Sequence, residues 1–190
     1  LGIDVITAGT SGYIIYGGPD DARGRSDNDT IYGGTSQDQI FGGDGNDDIY
    51  GSKDVDDKVG DRLSGGRGVD KFFVGDGDRV SDFSRGEPII IKRPENFAGY
   101  RIDYALDPQD ITVRHFIVSL YSSSNGSAQI SSTIFVDTAS ASIDPDRAFS
   151  INVQDEVSAI RLIGSADAFP SLDIPIPPPF GSGINLDTAN

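Results

Sequence analysis

Residues 33–50 consist of two nine-residue units placed end to end, Gly33-Gly34-Thr35-Ser36-Gln37-Asp38-Gln39-Ile40-Phe41 and Gly42-Gly43-Asp44-Gly45-Asn46-Asp47-Asp48-Ile49-Tyr50. A third unit follows after an insertion, Gly65-Gly66-Arg67-Gly68-Val69-Asp70-Lys71-Phe72-Phe73. Each unit begins with two glycines and has an aspartate two residues before a large apolar anchor. A flexible Gly/Asp-rich linker has no reason to keep an apolar residue in phase, so the pattern predicts a repeated structural unit.

The chemistry of the unit favours a turn that binds a hard cation. Glycine allows a positive φ in a tight turn, and such a turn can direct several backbone carbonyl oxygens toward one point. The aspartate adds a charged oxygen, so the turn presents only oxygen ligands, the type that calcium prefers. The residues around the apolar anchor form a minimal strand with one inward side chain. Because one turn alone buries almost nothing, neighbouring turns must stack.

The same phase extends over residues 1–86. The apolar anchors are Ile6, Ile15, Ile31, Ile40, Ile49, Leu63, Phe72 and Val80. The aspartates two residues before them are Asp4, Asp29, Asp38, Asp47, Asp61, Asp70 and Asp78. Tyr13 is the exception in this series, and the extra residues at 19–23 and 52–60 are expected on loops at the turns.

This pattern resembles the RTX (hemolysin-type) calcium-binding nonapeptide repeat, Gly-Gly-x-Gly-x-Asp-x-U-x, where U is a large apolar residue. The resemblance implies a parallel β-roll in which alternate turns stack on the same edge and each calcium ion lies between two such turns. It also implies the aspartate pairs, which are Asp29 with Asp47, Asp47 with Asp70, Asp38 with Asp61, Asp4 with Asp29, and Asp61 with Asp78.

The resemblance further implies that turn residues complete each calcium site. The predicted metal ligands are Asp4, Gly24, Ser26, Asp29, Gly33, Thr35, Asp38, Gly42, Gly43, Asp44, Gly45, Asp47, Asp61, Gly65, Gly66, Gly68, Asp70 and Asp78. Ser36 and Asp27 stand where a glycine is usual, which weakens the repeat there. Tyr13 stands where an aspartate is usual, so its edge is expected to lack one full site.

The composition supports cation binding and argues against several other classes of protein. The net charge is −15, with 30 acidic and 15 basic residues, and both halves are acidic, which argues against nucleic acid as a partner. Nearly all the acidic residues are aspartates, whose short side chains suit turns and close coordination. There is no cysteine and no apolar run long enough for a membrane span. Because the chain begins at Leu1 without a methionine, we expect a processed product or an excised fragment.

The second half of the chain has a different pattern. Residues 78–91 resemble the segment with which RTX rolls end before a strand-rich cap. Strands are predicted at residues 100–104, 111–121, 129–136, 149–153 and 157–163, which are rich in β-branched and aromatic residues, with Asn125-Gly126 as a turn. The predicted fold class is all-β, with a calcium-bound parallel β-roll at residues 1–86, an antiparallel β-rich cap at 87–173 and a Pro-rich extended arm at 174–190.

No sequence signal for catalysis is present. His115 is the single histidine and is expected to have a structural or surface role. The chain contains neither Gly-x-Ser-x-Gly nor His-Glu-x-x-His, so we expect a protein without enzymatic activity.

The sequence therefore predicts an extracellular calcium-binding structural protein of bacterial type. It would be a subunit of a surface layer, matrix, filament or adhesin that folds and assembles with calcium. Self-association is expected through the arm, where Ile174, Ile176 and Phe180 alternate with prolines. The alternative is the C-terminal secretion and folding module of an exported protease, lipase or epimerase. Carbohydrate or ice binding by the cap is a third possibility, for which the sequence shows neither a threonine ladder nor an aromatic platform.

Overall fold

The computed structural model describes residues 2–18, 27–52, 58–106, 114–124, 127–138 and 150–165. Within these ranges every regular element is a β-strand, which confirms the predicted all-β class. The strands are β1 (Val5–Thr7), β2 (Ile14–Tyr16), β3 (Thr30–Tyr32), β4 (Gln39–Asp44), β5 (Asp48–Tyr50), β6 (Arg62–Arg67), β7 (Lys71–Val74), β8 (Arg79–Phe83), β9 (Pro88–Lys92), β10 (Phe97–Leu106), β11 (Arg114–Ser124), β12 (Ser127–Thr138), β13 (Ser150–Asp155) and β14 (Ala159–Ser165).

The first eight strands form the predicted parallel roll. The chain alternates between two sheets, so that β1, β3, β5 and β7 lie in one sheet and β2, β4, β6 and β8 lie in the other. All neighbouring pairs within each set are parallel. The insertions fall between β2 and β3 and between β5 and β6, and their residues 19–26 and 53–57 lie outside the described ranges.

The apolar anchors stack in two columns inside the roll. Ile6, Ile31, Ile49 and Phe72 are in register in the first sheet, and Ile15, Ile40, Leu63 and Val80 are in register in the second. The columns are buried, except that Ile6, on the edge strand β1, is only partly buried. Full burial of such a side chain contributes roughly 1.5–3 kcal/mol to stability. The stability of the roll's core is therefore built from similar contributions, one from each anchor.

Aromatic residues directly after the anchors form two outward-facing stacks. Tyr32, Tyr50 and Phe73 stack on the first sheet, with ring centroids 4.5 and 4.0 Å apart. Tyr16 and Phe41 stack on the second sheet at 5.0 Å. These stacks were not predicted from the sequence. Because neighbouring rings stack face to face, they stabilise the contact between successive coils. Most ring faces are therefore covered by another ring and do not form a flat, open aromatic platform.

The antiparallel strands of the second half extend both sheets of the roll. In the first sheet, β9 pairs in parallel with β7, and β14 and β13 follow in antiparallel order. In the second sheet, β12 pairs in parallel with β8, and β11 and β10 follow in antiparallel order. The buried side chains between these strands form one cluster with the anchors of the roll.

The predicted boundary at residues 86 and 87 lies in the turn between β8 and β9, and both sheets continue across it. The turn predicted at Asn125-Gly126 and the arm at 174–190 lie outside the described residues. In the part of the chain that the structure describes, no helix is long and apolar enough to span a membrane.

Candidate calcium sites along the two edges of the roll

The predicted aspartates line the turns on two edges of the roll. The first edge carries Asp4, Asp29, Asp47 and Asp70, and the second edge carries Tyr13, Asp38, Asp61 and Asp78. All of these aspartates are buried except Asp4, which lies exposed directly before β1. A row of buried carboxylates is costly unless hydrogen bonds and counter-charges compensate it.

On the first edge, one carboxylate oxygen of each aspartate binds the backbone of the preceding coil. Oδ1 of Asp29 accepts from the N–H of Asp4 at 2.8 Å. Oδ1 of Asp47 accepts from the N–H of Asp29 at 2.7 Å. Oδ1 of Asp70 accepts from the N–H of Asp47 at 2.8 Å. The three pairs expected on this edge are therefore in direct contact.

The second edge repeats this arrangement. Oδ1 of Asp38 accepts from the N–H of Tyr13 at 2.7 Å, so Tyr13 takes part through its backbone although it supplies no carboxylate. Oδ1 of Asp61 accepts from the N–H of Asp38 at 2.8 Å, and Oδ1 of Asp78 accepts from the N–H of Asp61 at 2.8 Å. The expected pairs on this edge are also brought together.

The second oxygen of several aspartates points into the turn. Oδ2 of Asp47 and Oδ2 of Asp70 are buried and have no hydrogen-bond partner. Oδ2 of Asp38 accepts from Gly34 N at 2.6 Å, and Oδ2 of Asp78 accepts from Gly75 N at 2.7 Å. A buried carboxylate oxygen without a donor is the feature that a bound cation would satisfy.

The turn glycines leave space for oxygens where a side chain would stand. A Cβ on Gly42 would lie 2.6 Å from the carbonyl oxygen of Gly65 and would collide with Oδ2 of Asp47. A Cβ on Gly51 would lie 2.5 Å from Oδ2 of Asp78 and 3.0 Å from Oδ2 of Asp61. Carboxylate and carbonyl oxygens thus converge beside the turn glycines, which fits the all-oxygen coordination of calcium.

Other predicted ligands have different surroundings. Gly43, Gly45, Gly66 and Gly68 all have positive φ, as the tight turns require. A Cβ on Gly33 would lie 3.2 Å from Oδ2 of Asp38. Thr35 is exposed, whereas Asp44 is buried, with Oδ1 unpartnered and Oδ2 at 3.8 Å from Arg67 Nη1. Gly24 and Ser26 lie outside the described residues.

The electrostatics of the first edge also favour a bound cation. Burial raises the pKa of Asp47 to about 6, with a further contribution from the charge of Asp29. Burial and the charge of Asp47 raise the pKa of Asp70 to about 7. Among the described residues, no three Asp, Glu, His or Cys side chains form a group that could hold a metal ion, so carboxylates alone do not make up a site.

Two features of the edges were not recognised in the sequence. Asn28 and Asn46 form a second ladder beside the first edge, because Oδ1 of Asn28 accepts from Asn46 N and Oδ1 of Asn46 accepts from Val69 N, both at 2.8 Å. The signal was an asparagine directly before the repeat aspartate. The other feature is Glu87, which is 2% exposed and precedes the buried Ile89 by two residues, as each repeat aspartate precedes its anchor.

His115 lies in a cluster with Asp137 and Arg79, and Arg79 directly follows the edge aspartate Asp78. Nδ1 of His115 is 2.7 Å from Oδ1 of Asp137, and Nη1 of Arg79 is 2.7 Å from Oδ2 of the same carboxylate. The cluster joins β11, β12 and β8, so it ties the last roll strand to the antiparallel strands.

The family comparison agrees with this geometry. Residues 23–57 and 60–80 match the family model of the RTX calcium-binding nonapeptide repeat, in four copies. No curated protein and no solved structure matches the chain. Residues 23–57 and 60–80 therefore carry RTX calcium-binding nonapeptide repeats, and calcium is the cation that such repeats bind.

Proposed function

We propose that this chain is a secreted structural protein whose roll folds when calcium fills its two edges. The observation that carries the proposal is the pair of aspartate ladders, in which one oxygen binds the neighbouring coil and the other faces the turn. Without a cation, these buried carboxylates repel one another. Calcium would therefore stabilise the folded roll over the open chain.

Proteins with RTX repeats are typically secreted by bacteria, which supports an extracellular location. Extracellular calcium modules bind in a range of roughly 10⁻⁴–10⁻³ M. At the lower calcium concentration inside a cell, a roll with such sites stays open, and it folds after export. Folding outside the cell is thus part of the proposed function.

The proposed role is non-catalytic assembly into a layer, matrix, filament or adhesin. Exposed apolar side chains on the terminal strands of the two sheets support it, because Val5 on β1 and Ile14 on β2 are 72% and 60% exposed. An apolar sheet end of this kind favours packing against another protein surface. We propose that the arm at residues 174–190 makes the contact between subunits.

Deletion of residues 174–190 tests this role. The truncated protein is expected to bind calcium and fold, but to remain monomeric at a calcium concentration at which the intact chain assembles. Light scattering of both proteins at equal calcium measures the difference. If both have the same oligomeric state, the arm has no role in assembly.

A second candidate is the folding module of an exported enzyme. The same exposed end favours it, since a preceding domain of a longer protein would pack against Val5 and Ile14. Mass spectrometry of the native protein separates the candidates. A polypeptide much longer than 190 residues with a catalytic domain supports the enzyme module, whereas a mature chain of about this length supports the structural protein.

A further inference from the structure

We propose that a cavity between the two sheets, beside the last turn of the second edge, binds a neutral saccharide. The cavity has a volume of about 550 Å³ and lies between the turn after β7, the segment after β9 and the strands β11 and β12. Sites for small molecules commonly have volumes in this range. The proposal goes beyond calcium binding and assembly, because none of the repeat aspartates is among the described residues that line the cavity.

One wall of the cavity is the apolar core at the end of the roll. Val74 on β7 and Ile91 on β9 line it, and both side chains are buried. The two residues lie opposite each other in the register of the first sheet. They therefore form a fixed apolar surface, against which the C–H groups of a sugar ring can pack.

The opposite wall is polar at positions where the strands otherwise carry apolar side chains. Ser122 follows the buried Leu120 by two residues in β11, and Ser132 precedes the buried Ile134 by two residues in β12. Because alternate residues of a strand share a face, both serines face the interior between the sheets. Their small side chains leave open a space that two larger apolar side chains would fill.

A β-bulge brings a third serine to the same wall. In the pairing of β11 with β12, Leu120 lies opposite Ser132, but the next residue of β11 lies opposite Ile130. Ser131 is therefore the extra residue, and its Oγ donates to Leu120 O at 3.1 Å, which leaves the hydroxyl oxygen able to accept. Ser131 and Ser132 line one cavity although they are consecutive, an arrangement that a bulge permits.

The charged residues along the cavity include both signs in equal number. Lys58 and Lys92 line it together with Asp76 and Glu95. Oδ1 of Asp76 accepts from the N–H of Thr133 at 2.8 Å, so this carboxylate is held in position. Two lysines beside the cavity argue against another calcium ion. Donors and acceptors side by side suit ligand hydroxyl groups, which can both donate and accept.

Arg93 is a rigid part of the cavity wall. Its Nη2 forms an ion pair with Oδ1 of Asp155, and its Cζ lies 4.5 Å from the ring centroid of Phe97. Phe97 in turn lies opposite Ser122 in the pairing of β10 with β11. The charge of Arg93 is therefore already compensated, while its guanidinium retains N–H groups for a ligand oxygen.

These features together match a neutral sugar better than a charged one. A neutral ligand enters the cavity without the cost of desolvating a charge. A negatively charged saccharide would in addition approach a protein with a net charge of −15. The three serines and the balanced charges then serve the hydroxyl groups of the sugar, and the apolar wall serves its ring.

Nuclear magnetic resonance titration of the intact chain in saturating calcium tests the site. The probes are glucose, galactose, mannose, N-acetylglucosamine and maltose, with glucuronate and inorganic phosphate as charged comparisons. We expect at least one neutral sugar to shift the amide signals of Ser122, Ser132 and Arg93, but not that of Arg85 in the turn between β8 and β9. No shift at the cavity with any sugar would overturn the site. Binding of glucuronate or phosphate alone would overturn the neutral class of ligand.

A pair of serine variants tests the position of the site with the sugar that binds best. Ser132→Leu fills the cavity from its polar wall and is expected to abolish sugar binding in calorimetric titration. The matched control is Ser123→Leu, which places the same side chain on β11 at a residue that does not line the cavity, and which is expected to keep the affinity of the unaltered chain. Equal affinities for Ser132→Leu and the unaltered chain would overturn the site. If Ser132→Leu does not fold, the titration of the unaltered chain decides.

Discussion

The backbone N–H of Asp47 donates to Oδ1 of Asp70 at 2.8 Å, although the two residues are 23 positions apart. Asp47 in turn accepts from the N–H of Asp29 through its own Oδ1 at 2.7 Å. A single aspartate therefore contacts the coils on both sides while its Oδ2 remains without a hydrogen-bond donor. Coil stacking and calcium binding are coupled through the same side chain.

Asp47→Ala is expected to weaken calcium binding and folding much more than Asp48→Ala. The loss of Asp47 leaves the buried N–H of Asp29 without its acceptor, which alone costs about 1–3 kcal/mol, and removes an oxygen from two candidate sites. Asp48 forms only a partly exposed ion pair with Lys71, worth about 0–1 kcal/mol. Calorimetric calcium titration compares the variants, and equal losses would show that the register of the sites is wrong.

Gly42→Ala is expected to lower calcium affinity by at least about tenfold, since roughly 1.4 kcal/mol suffices for that factor. The added methyl group would meet Gly65 O at 2.6 Å and overlap Oδ2 of Asp47. Gly18→Ala is the control, because its Cβ would meet only Oδ2 of Asp29, at 3.8 Å. If both variants titrate like the unaltered protein, the space beside Gly42 does not hold the ion.

Phe72→Ala should destabilise the calcium-bound protein by about 3–5 kcal/mol, because it leaves a cavity between the two columns of anchors. Phe72 is fully buried, whereas the adjacent Phe73 stacks on Tyr50 at the outer surface, with centroids 4.0 Å apart. Phe73→Ala removes a stacked pair worth about 0.5–1.5 kcal/mol beyond its buried area. Urea unfolding in saturating calcium measures both, and a larger loss for Phe73→Ala would contradict the assignment of inner and outer faces.

The calcium-free protein should be more stable at pH 5 than at pH 8. Burial raises the pKa of Asp47 to about 6 and of Asp70 to about 7, above the ordinary value of 3.8. The folded state therefore binds protons more tightly than the unfolded chain. The resulting stabilisation is complete below pH 3.8 and is lost as the pH rises through 6 and 7.

Melting temperatures of calcium-free protein between pH 5 and pH 8 test this dependence. They are expected to fall as the pH rises, while the increase in melting temperature on adding calcium becomes larger. A melting temperature that stays constant or rises over this range would contradict the assignment of buried, uncompensated carboxylates to the first edge.

The roll was predictable from the sequence because its contacts repeat. A constant spacing between Asp47 and Ile49, copied in each coil, determines both the inward side chain and the edge aspartate. Once Ile31, Ile49 and Phe72 are aligned, the parallel register and the aspartate pairs follow. The strands of the second half were also indicated by β-branched and aromatic residues.

The joining of the two halves was not predictable in the same way. The parallel pairing of β12 with β8 brings Val136 beside Val80 across more than fifty residues, and no repeat relates these segments. Glu87 was missed because proline follows it and glutamate replaces the repeat aspartate, although its spacing to Ile89 has the repeat form. The backbone of its turn binds Gly164 of β14, where Gly86 N donates to Gly164 O at 2.7 Å, and the local sequence does not specify this contact.

Calcium dependence of folding is the central claim, and far-ultraviolet circular dichroism of the intact chain tests it most directly. Spectra and melting curves are recorded in excess chelator, after calcium is restored, and with magnesium in place of calcium as the control ion. The account predicts loss of β signal and a lower melting temperature in chelator, with recovery in calcium but not in magnesium. An unchanged spectrum and melting temperature in excess chelator would contradict it.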